Sequence, residues 1–304
     1  MYVKIGKKRY SVADIAFNVF NFLIMTFLII STLYPFLNTL AVSFNDGIDA
    51  LRGGIRLWPR MFTLQNYKTV FVGGTIFNAF LVSVARTILA AAINVFLTAM
   101  MGYCLSRKEY VLNKFITVVF VLTMYFNAGL IPNYLLIKKL GLLNSFWVYI
   151  IPGMISAFNV IVVRTYINTI PESLVESARI DGAGDFKIFI RIIFPLAKPA
   201  LAVVGMFTII YQWNSWFDTY LYAPSKQELS TLQYELQKLL ASSFSQSSAQ
   251  RATSATAGQM ASSLVTPVTL QAAITIIAMV PILCVYPLLQ KYFIAGLNVG
   301  GVKE

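Results

Sequence analysis

The chain has 304 residues, of which 58% are hydrophobic and 12% are charged, and its formal net charge is +12. A soluble domain of this length does not need so much apolar sequence, so the composition excludes an ordinary water-soluble protein. The sequence has no histidine, and its two cysteines, Cys104 and Cys284, lack the spacing of a metal site or redox pair. Histidine-dependent catalysis and a histidine-ligated metal are therefore excluded.

Six apolar runs are long enough to cross a membrane as helices, because about 30 Å of hydrocarbon requires about 20 residues at helical rise. Barrel strands need only about 10 residues, so these lengths predict an all-α polytopic membrane protein with one domain over residues 15–290. The first run is too long for a signal peptide and is expected to be an anchor. The six runs are at about 15–40, 77–105, 115–137, 146–167, 200–222 and 267–290.

Positive charge sets the expected orientation of these helices. Thirteen Lys and Arg lie on the side that carries both chain ends, against nine on the opposite side. The positive-inside rule therefore places both termini in the cytoplasm, and this topology explains the net charge without a nucleic-acid partner. The first set of segments is 1–14, 106–114, 168–199 and 291–304, and the opposite loops are 41–76, 138–145 and 223–266.

Several polar or proline residues are expected to interrupt these helices. Asn127-Ala128-Gly129 should loosen the outer half of the third run, and Pro281 should bend the sixth. Arg164, near the cytoplasmic end of the fourth run, is expected to extend its charged group towards water. The Ser- and Ala-rich stretch 241–263 favours a flexible linker, with a shaped binding surface as the alternative.

The cytoplasmic loop 168–199 predicts two short helices joined by a glycine turn. Pro171 suits the first helical position, and Gly182 is expected to end the first helix in a left-handed conformation. Asp185 is expected to cap the second helix, which Pro195 and Pro199 should break. The predicted apolar stripes are Leu174, Val175 and Ala178 in the first helix and Ile188, Phe189, Ile192 and Ile193 in the second.

Two explanations of this loop remain open from its pattern: a rigid helix–turn–helix lever just below the membrane, and an interfacial helix. An interfacial helix lying on the lipid headgroups would suit the second helix, whose other side carries Lys187 and Arg191. It would not explain the first helix, which exposes Glu172 and Glu176. Since the chain also has no G-x-x-x-x-G-K-[ST] loop and almost no intramembrane carboxylates, its driving energy is expected to come from another chain.

The loop resembles a motif of the permeases of bacterial ABC importers. Glu176-Ser177-Ala178, then Gly182, then 192-IIFP-195 is similar to their "EAA…G…I-x-L-P" loop, with Ser177 in place of alanine and Phe194 in place of leucine. Three further segments, which bring the resemblance to essentially the whole chain, look like the carbohydrate-uptake (maltose-permease-like) family and most like its complex-oligosaccharide branch. They are 129-GLIPNYLLIKKLGLLNSFW-147, 210-IYQWNSWFDTYLYAP-224 and 286-YPLLQKYFIAGLNVGGVKE-304.

The resemblance implies the six-helix transmembrane domain of a type I ABC importer in the bacterial plasma membrane. It implies a permease that is not itself an enzyme and binds no cofactor, with ATP and Mg²⁺ held by a separate ATPase. The implied partners are a second permease, expected to be a different chain, two ATPase subunits and an extracytoplasmic solute-binding protein. The residues that would couple this chain to the ATPase are Glu176, Ser177, Ala178, Arg179, Asp181, Gly182, Ala183 and Asp185.

Carbohydrates are recognised by planar amides and stacked aromatic rings, so such residues in the apolar runs are candidates for the substrate pathway. The alternative for each is a helix–helix hydrogen bond or an aromatic anchor at the membrane interface. For Arg86 the functional interpretation is contact with an acidic sugar, for example a polyuronide or pectin fragment. The candidates are Arg86, Asn94, Asn127, Asn159, Tyr211, Gln212, Trp213, Asn214 and Trp216.

Three other functions remain as alternatives. A carrier driven by an ion gradient is disfavoured by the scarcity of buried acids. An intramembrane enzyme is disfavoured by the absence of histidine and of paired buried acids. An ABC permease for a non-sugar solute is compatible with the loop motif, and only the flanking segments favour sugar.

Overall fold

The computed structural model describes residues 2–5, 8–72, 74–241 and 265–299, which are almost entirely helical. One antiparallel hairpin, β1 (Tyr2–Ile5) and β2 (Lys8–Ser11), precedes the helices. The predicted stretch 241–263 lies outside the described residues from 242 onward. Backbone contacts divide the chain into two compact units, residues 1–72 with 242–277 and residues 73–241 with 278–304.

Thirteen helices follow the hairpin in the described ranges. In chain order they are α1 (Val12–Ser43), α2 (Gly47–Leu51), α3 (Gln65–Val72), α4 (Thr75–Ser106), α5 (Asn113–Tyr125), α6 (Leu130–Lys139), α7 (Ala157–Ile167), α8 (Ser173–Ile180), α9 (Asp185–Leu196), α10 (Lys198–Asn214), α11 (Phe217–Tyr222), α12 (232–241) and α13 (Pro267–Val299).

Three of the six predicted spans are continuous helices that are long and apolar enough to cross a membrane. They lie at Ile15–Ser43, Thr75–Ser106 and Pro267–Pro287, and two bent helix pairs raise the number to five. The other three predicted runs contain breaks in their helices or directly before them, at 126–129, at 154–156 and at Ala197. Pro281 lies inside α13, which continues past the predicted end at residue 290.

The third predicted span is divided at 126–129. Gly129 has a φ of +86°, a conformation that L-residues adopt only with strain. The Asn127 side chain accepts a hydrogen bond from the Gly129 backbone N–H at 2.9 Å, which stabilises the turn in place of a helical bond. The segment that was expected to be loosened is therefore a complete break between α5 and α6.

The fourth and fifth spans are bent. In the fourth, short 3₁₀ turns over 146–153 meet α7 at 49°, and Ser156 caps α7 by accepting a hydrogen bond from the Asn159 N–H. In the fifth, α9 meets α10 at 79°, and the break lies at Ala197 rather than at Pro195. A π-helical turn at Phe189–Ile193 precedes Pro195. The wider turn relieves the clash that a proline ring makes inside an α-helix.

The loop at 44–63 in the first unit is held by polar contacts. Asn45 Nδ2 and Arg60 Nε donate to Asp49 Oδ2 at 2.9 and 3.0 Å. These contacts, the Asn45 hydrogen bond above all, lower the pKa of Asp49. Asn66, at the start of α3, donates to the carbonyls of Ser43 and Asn45 at 2.9 Å each. The loop is thus an ordered structure held by side-chain hydrogen bonds rather than a flexible linker.

In the second unit, α4 packs against α7 and α10. Gly102 permits a close approach, because a Cβ atom there would lie 3.0 Å from Val163 Cγ1 and 3.2 Å from the Arg164 backbone nitrogen. The two short helices of the 168–199 loop complete one hydrophobic core with these three helices. Its buried members are Ala99, Tyr103, Val163, Ile167, Val175, Ile188, Phe189, Ile193, Ala197, Ala200, Leu201 and Val204.

Candidate functional site

The 168–199 loop contains the two predicted helices, α8 and α9, joined by a sharp turn, but α8 begins at Ser173 and not at the expected Pro171. Gly182 has a φ of +78°, so the helix ends in the expected left-handed conformation. The Ala183 N–H donates to the Ala178 carbonyl at 2.9 Å and the Gly182 N–H to that of Arg179 at 3.0 Å. The turn therefore satisfies carbonyls at the end of α8 and reverses the chain within three residues.

Helix α8 has one buried face and one exposed face. Val175 is 2% exposed and Ala178 packs beside it against the core, but Leu174 is exposed, so the predicted stripe was too wide. Ile180 at the end of the helix is 86% exposed. Ile180 and Leu174 thus leave apolar surface exposed on α8, beside the buried contact of Val175.

The start of α9 differs from the prediction. Gly184 occupies the cap position without a side-chain bond, and Asp185 is the first helical residue instead of the cap. Its carboxylate is available to Arg179, whose Nη2 lies 3.2 Å from Asp185 Oδ1. Asp185 still favours the helix, since a negative charge in the first turn complements the helix dipole.

Arg179 makes a bidentate ion pair with Glu109, which lies in the turn between α4 and α5. Nη1 and Nη2 donate to the two carboxylate oxygens at 2.7 and 2.9 Å. The hydrogen bonds from Arg179 lower the pKa of Glu109, and those to Glu109 and Asp185 raise the pKa of Arg179. Both groups are therefore ionised at neutral pH, and nothing in the sequence pattern singled out Glu109.

The remaining predicted coupling residues lie on the surface of the loop. Ala178 and Ala183 are half-buried where the turn folds back on the helix. The other four coupling residues are exposed. These exposed residues are Glu176, Ser177, Asp181 and Gly182.

Four of the nine predicted substrate residues line one cavity of about 380 Å³ between α4, α7 and α10, whose lining is partly polar. They are Asn94, Asn159, Tyr211 and Gln212. The sequence analysis missed the rest of the lining, of which three residues lie at the helix break before α7 and two in α10. These missed residues are Gly153, Ile155, Ser156, Phe207 and Thr208.

Asn94 connects the helices around this cavity. Its Nδ2 donates to the carbonyls of Gly153 and Met154, at 3.1 Å each, where the fourth span is broken. Its Oδ1 accepts from Thr208 Oγ1 at 3.0 Å and more weakly from Asn159 Nδ2 at 3.4 Å. The alternative of a helix–helix hydrogen bond thus describes Asn94, although the residue also borders the cavity.

The structure does not bring the other amide and aromatic candidates to the cavity lining. Asn127 stabilises the break before α6, and Trp213 Nε1 donates to the Ala278 carbonyl at 2.8 Å. Asn214 donates to the Ile210 carbonyl of its own helix, and the Trp216 ring packs edge-on against Phe217. The Trp213 contact is the helix–helix hydrogen bond of the alternative interpretation. The contacts of the other three are with residues close to them in the sequence.

Arg86 is completely buried and is held by residues of its own chain. Nε and Nη2 donate to Gln212 Oε1 at 3.0 and 2.7 Å, and Nη1 and Nη2 pair with the Asp218 carboxylate. The guanidinium carbon lies 4.4 Å from the centre of the Tyr149 ring. In this structure Arg86 orients Gln212 in the cavity wall and does not line the cavity itself.

The orientation of the Gln212 amide follows from these partners. Only its Oε1 can accept two guanidinium hydrogen bonds, and only its Nε2 can donate to the Tyr149 carbonyl, at 3.0 Å. Nε2 would lie 3.7 Å from a Cβ atom at Gly153, which also lines the cavity. Gln212 therefore presents its donor end beside Gly153.

Arg164 also differs from its expectation. Its Nη1 and Nη2 donate to Thr117 Oγ1 at 2.9 Å and Asn113 Oδ1 at 3.0 Å, so the charged group joins α7 to the first turns of α5 instead of extending into water. This contact lies next to the turn that carries Glu109.

These features are those of a membrane transport component, and the comparisons with known proteins agree. Residues 94–299 match the family described as binding-protein-dependent transport system inner membrane component, and the chain belongs to this family of ABC-importer permeases. Its fold is the type I importer fold: the chain is 27% identical to a chain in the crystal structure of a bacterial ABC transporter that imports the acidic polysaccharide alginate. The match has a TM-score of 0.83 and covers 93% of this chain and 99% of that one.

The curated relatives include two permeases of Bacillus subtilis (strain 168). The chain is 37% identical to the polygalacturonan/rhamnogalacturonan transport system permease protein YtcP, over 67% of this chain and 71% of YtcP. It is 33% identical to the protein LplC, over 94% of this chain and 95% of LplC. The complex-oligosaccharide resemblance of the sequence is confirmed by these matches.

The buried Arg86–Asp218 pair yields a stability prediction. Asp218→Ala leaves the guanidinium buried without a counter-charge, which costs about 3 kcal/mol. We expect a clearly lower melting temperature in detergent than for Asp181→Ala, which removes an exposed carboxylate. The double variant Arg86→Met/Asp218→Ala should melt above Asp218→Ala alone, since no unpaired charge remains. Melting of Asp218→Ala at the wild-type temperature would contradict this account.

Proposed function

We propose that the chain is the transmembrane permease subunit of an ATP-driven importer, and that it moves an oligosaccharide from a binding protein into the cytoplasm by alternating access. The observation that carries the proposal is α8 with its Gly182 turn: an exposed amphipathic helix, anchored on one face, in a chain of this permease family. Such a helix fits a groove on a separate ATPase.

The exposed side of α8 supplies the contact. Ile180 is 86% exposed and Leu174 is 43% exposed, beside the polar Glu176 and Ser177. Covering the isoleucine in a groove would contribute about 1.5–3 kcal/mol. The adjacent polar groups would give the docked helix its direction and its specificity.

The assembly would contain this permease, a second permease of different sequence, two ATPase subunits and an extracytoplasmic binding protein. ATP and Mg²⁺ would bind to the ATPases, which would move α8 when they close. Both termini and the 168–199 loop would lie in the cytoplasm, and the protein would reside in the bacterial plasma membrane. Rigid-body motion of the packed helices would then expose the cavity alternately to the two sides.

The cavity supports a carbohydrate as the substrate. Its lining combines the amides of Asn159 and Gln212, the hydroxyls of Ser156 and Tyr211, and the ring of Phe207. Amides and hydroxyls match the hydroxyl groups of a sugar, and aromatic faces pack against its C–H surface. Two relatives favour the same class: YtcP is a polygalacturonan/rhamnogalacturonan transport permease, and AraQ of Bacillus subtilis, 29% identical to this chain, is an arabinooligosaccharide transport permease.

The ATPase contact can be tested by cross-linking. In a chain with Cys104 and Cys284 replaced by alanine, a Ser177→Cys variant should form a covalent product with the ATPase in intact membranes. Trp58→Cys is the matched control, because this exposed residue lies in the loop predicted on the opposite side of the membrane. The absence of an ATPase product from position 177, or an equal yield from position 58, would refute the docking surface.

The cavity can be tested with Gly153→Ala. The new methyl group would occupy the cavity 3.7 Å from Gln212 Nε2, an ordinary contact distance that the fold tolerates. We expect at least a threefold lower uptake rate of trigalacturonate or arabinotriose below saturation, with a normal amount of protein in the membrane. Unchanged uptake by Gly153→Ala would exclude this cavity from the pathway.

A further inference from the structure

The Arg179 guanidinium contacts carboxylates of its own chain. The resemblance to ABC permeases implied that this residue contacts the ATPase, but its two terminal nitrogens are engaged by Glu109 at 2.7 and 2.9 Å and by Asp185 at 3.2 Å. When a guanidinium group donates to both oxygens of one carboxylate, it fixes the orientation of that carboxylate as well as its distance. The contact joins α8 to the turn 107–112, which is 70 residues away in the sequence.

The turn 107–112 is also attached to the membrane helices. It connects α4 directly to α5, and Asn113 Nδ2 closes it by donating to the Arg107 carbonyl at 3.0 Å. The Oδ1 atom of the same Asn113 side chain accepts a hydrogen bond from Arg164 Nη2 of α7 at 3.0 Å. A displacement of Glu109 therefore acts on α4 and α5 at once.

A second ion pair joins the same turn to the same loop. Lys108 Nζ lies 3.6 Å from Glu172 Oε2, but the two side chains are 87% and 53% exposed, and only one long contact joins them. Exposed pairs of this kind contribute little. Arg179 and Glu109 are also partly exposed, at 36% and 66%, but two short hydrogen bonds join them and Asp185 is a third charged partner. Bidentate geometry and a network of charges are the exceptions among exposed pairs, so the geometric constraint rests on Arg179.

We propose that Arg179 is a positioning residue that clamps α8 to the turn 107–112. This inference rests on the proposed function. In the importer, the clamp passes the movement of α8 to α4 and α5, in addition to the direct route from α9 into α10. Arg179 then acts on transport through Glu109 and not through a contact with the ATPase.

The experiment uses the complete importer in liposomes, with its partner permease, ATPases and binding protein, and trigalacturonate or arabinotriose as the transported probe. Arg179→Glu faces both Glu109 and Asp185 with a like charge, and we expect at least a tenfold loss of sugar transported per ATP hydrolysed. The charge swap Glu109→Arg/Arg179→Glu should recover at least a third of the wild-type ratio. The ATPase should co-purify with all of these variants.

Further variants separate the clamp from an ATPase contact. Glu109→Ala should lower the transport ratio about as much as Arg179→Ala, whereas a direct ATPase contact requires Glu109→Ala to be nearly silent. Lys108→Ala is the matched control in the same turn and should stay within twofold of the wild type.

Two results would overturn the clamp. One is failure of the charge swap to improve on Arg179→Glu, and the other is loss of ATPase co-purification in both of these variants. A wild-type importer that takes up neither sugar with ATP would refute the proposed function and the clamp with it. Coupled uptake by the wild type without rescue by the swap would refute the clamp alone.

Discussion

The anchoring of the 168–199 loop in the core of the transmembrane helices is the contact on which the rest of the molecule depends. Val175, Ile188 and Phe189 are each no more than 2% exposed, in a core shared with α4, α7 and α10. A helix lying loosely on lipid headgroups could bind a partner but could not transmit its motion. Because close-packed cores transmit displacement and do not absorb it, a push on α8 reaches three membrane helices. This packing favours the lever over the interfacial alternative.

Polar groups inside this apolar chain have a related structural role. Asn94 and Arg86 each join helices that are far apart in the sequence, through Gly153 and Thr208 in one case and Gln212 and Asp218 in the other. Such hydrogen bonds help associate helices where the surrounding lipid is as apolar as the side chains. Asn94 also holds the break in the fourth span beside the cavity. Asn94 and Gln212 thus both connect helices and line the cavity.

Much of the fold followed from apolar run lengths, and the loop from proline, glycine and acidic residues at fixed offsets. The left-handed Gly182 was predictable because its position directly follows a helical stripe. The partners Glu109 and Asp218 were not, because long-range pairing leaves no local periodicity in a single sequence. Among substrate candidates, residue type alone could not separate Gln212 in the cavity wall from Trp213, which turns its indole N–H to a neighbouring helix. Adjacent side chains on a helix, such as Gln212 and Trp213, point in directions that differ by about 100°.

The 168–199 loop, with α8 and α9, and the turn 107–112 are expected to move as one body when the ATPases close. Spin labels at Lys108 and Lys187, both exposed, would measure the distance between this turn and the loop in the assembled importer, without nucleotide and with ATP trapped. The account predicts the same narrow distance distribution in both states, while a label pair from Lys187 to the partner permease changes. A shift or broadening of the 108–187 distance on ATP binding would contradict it.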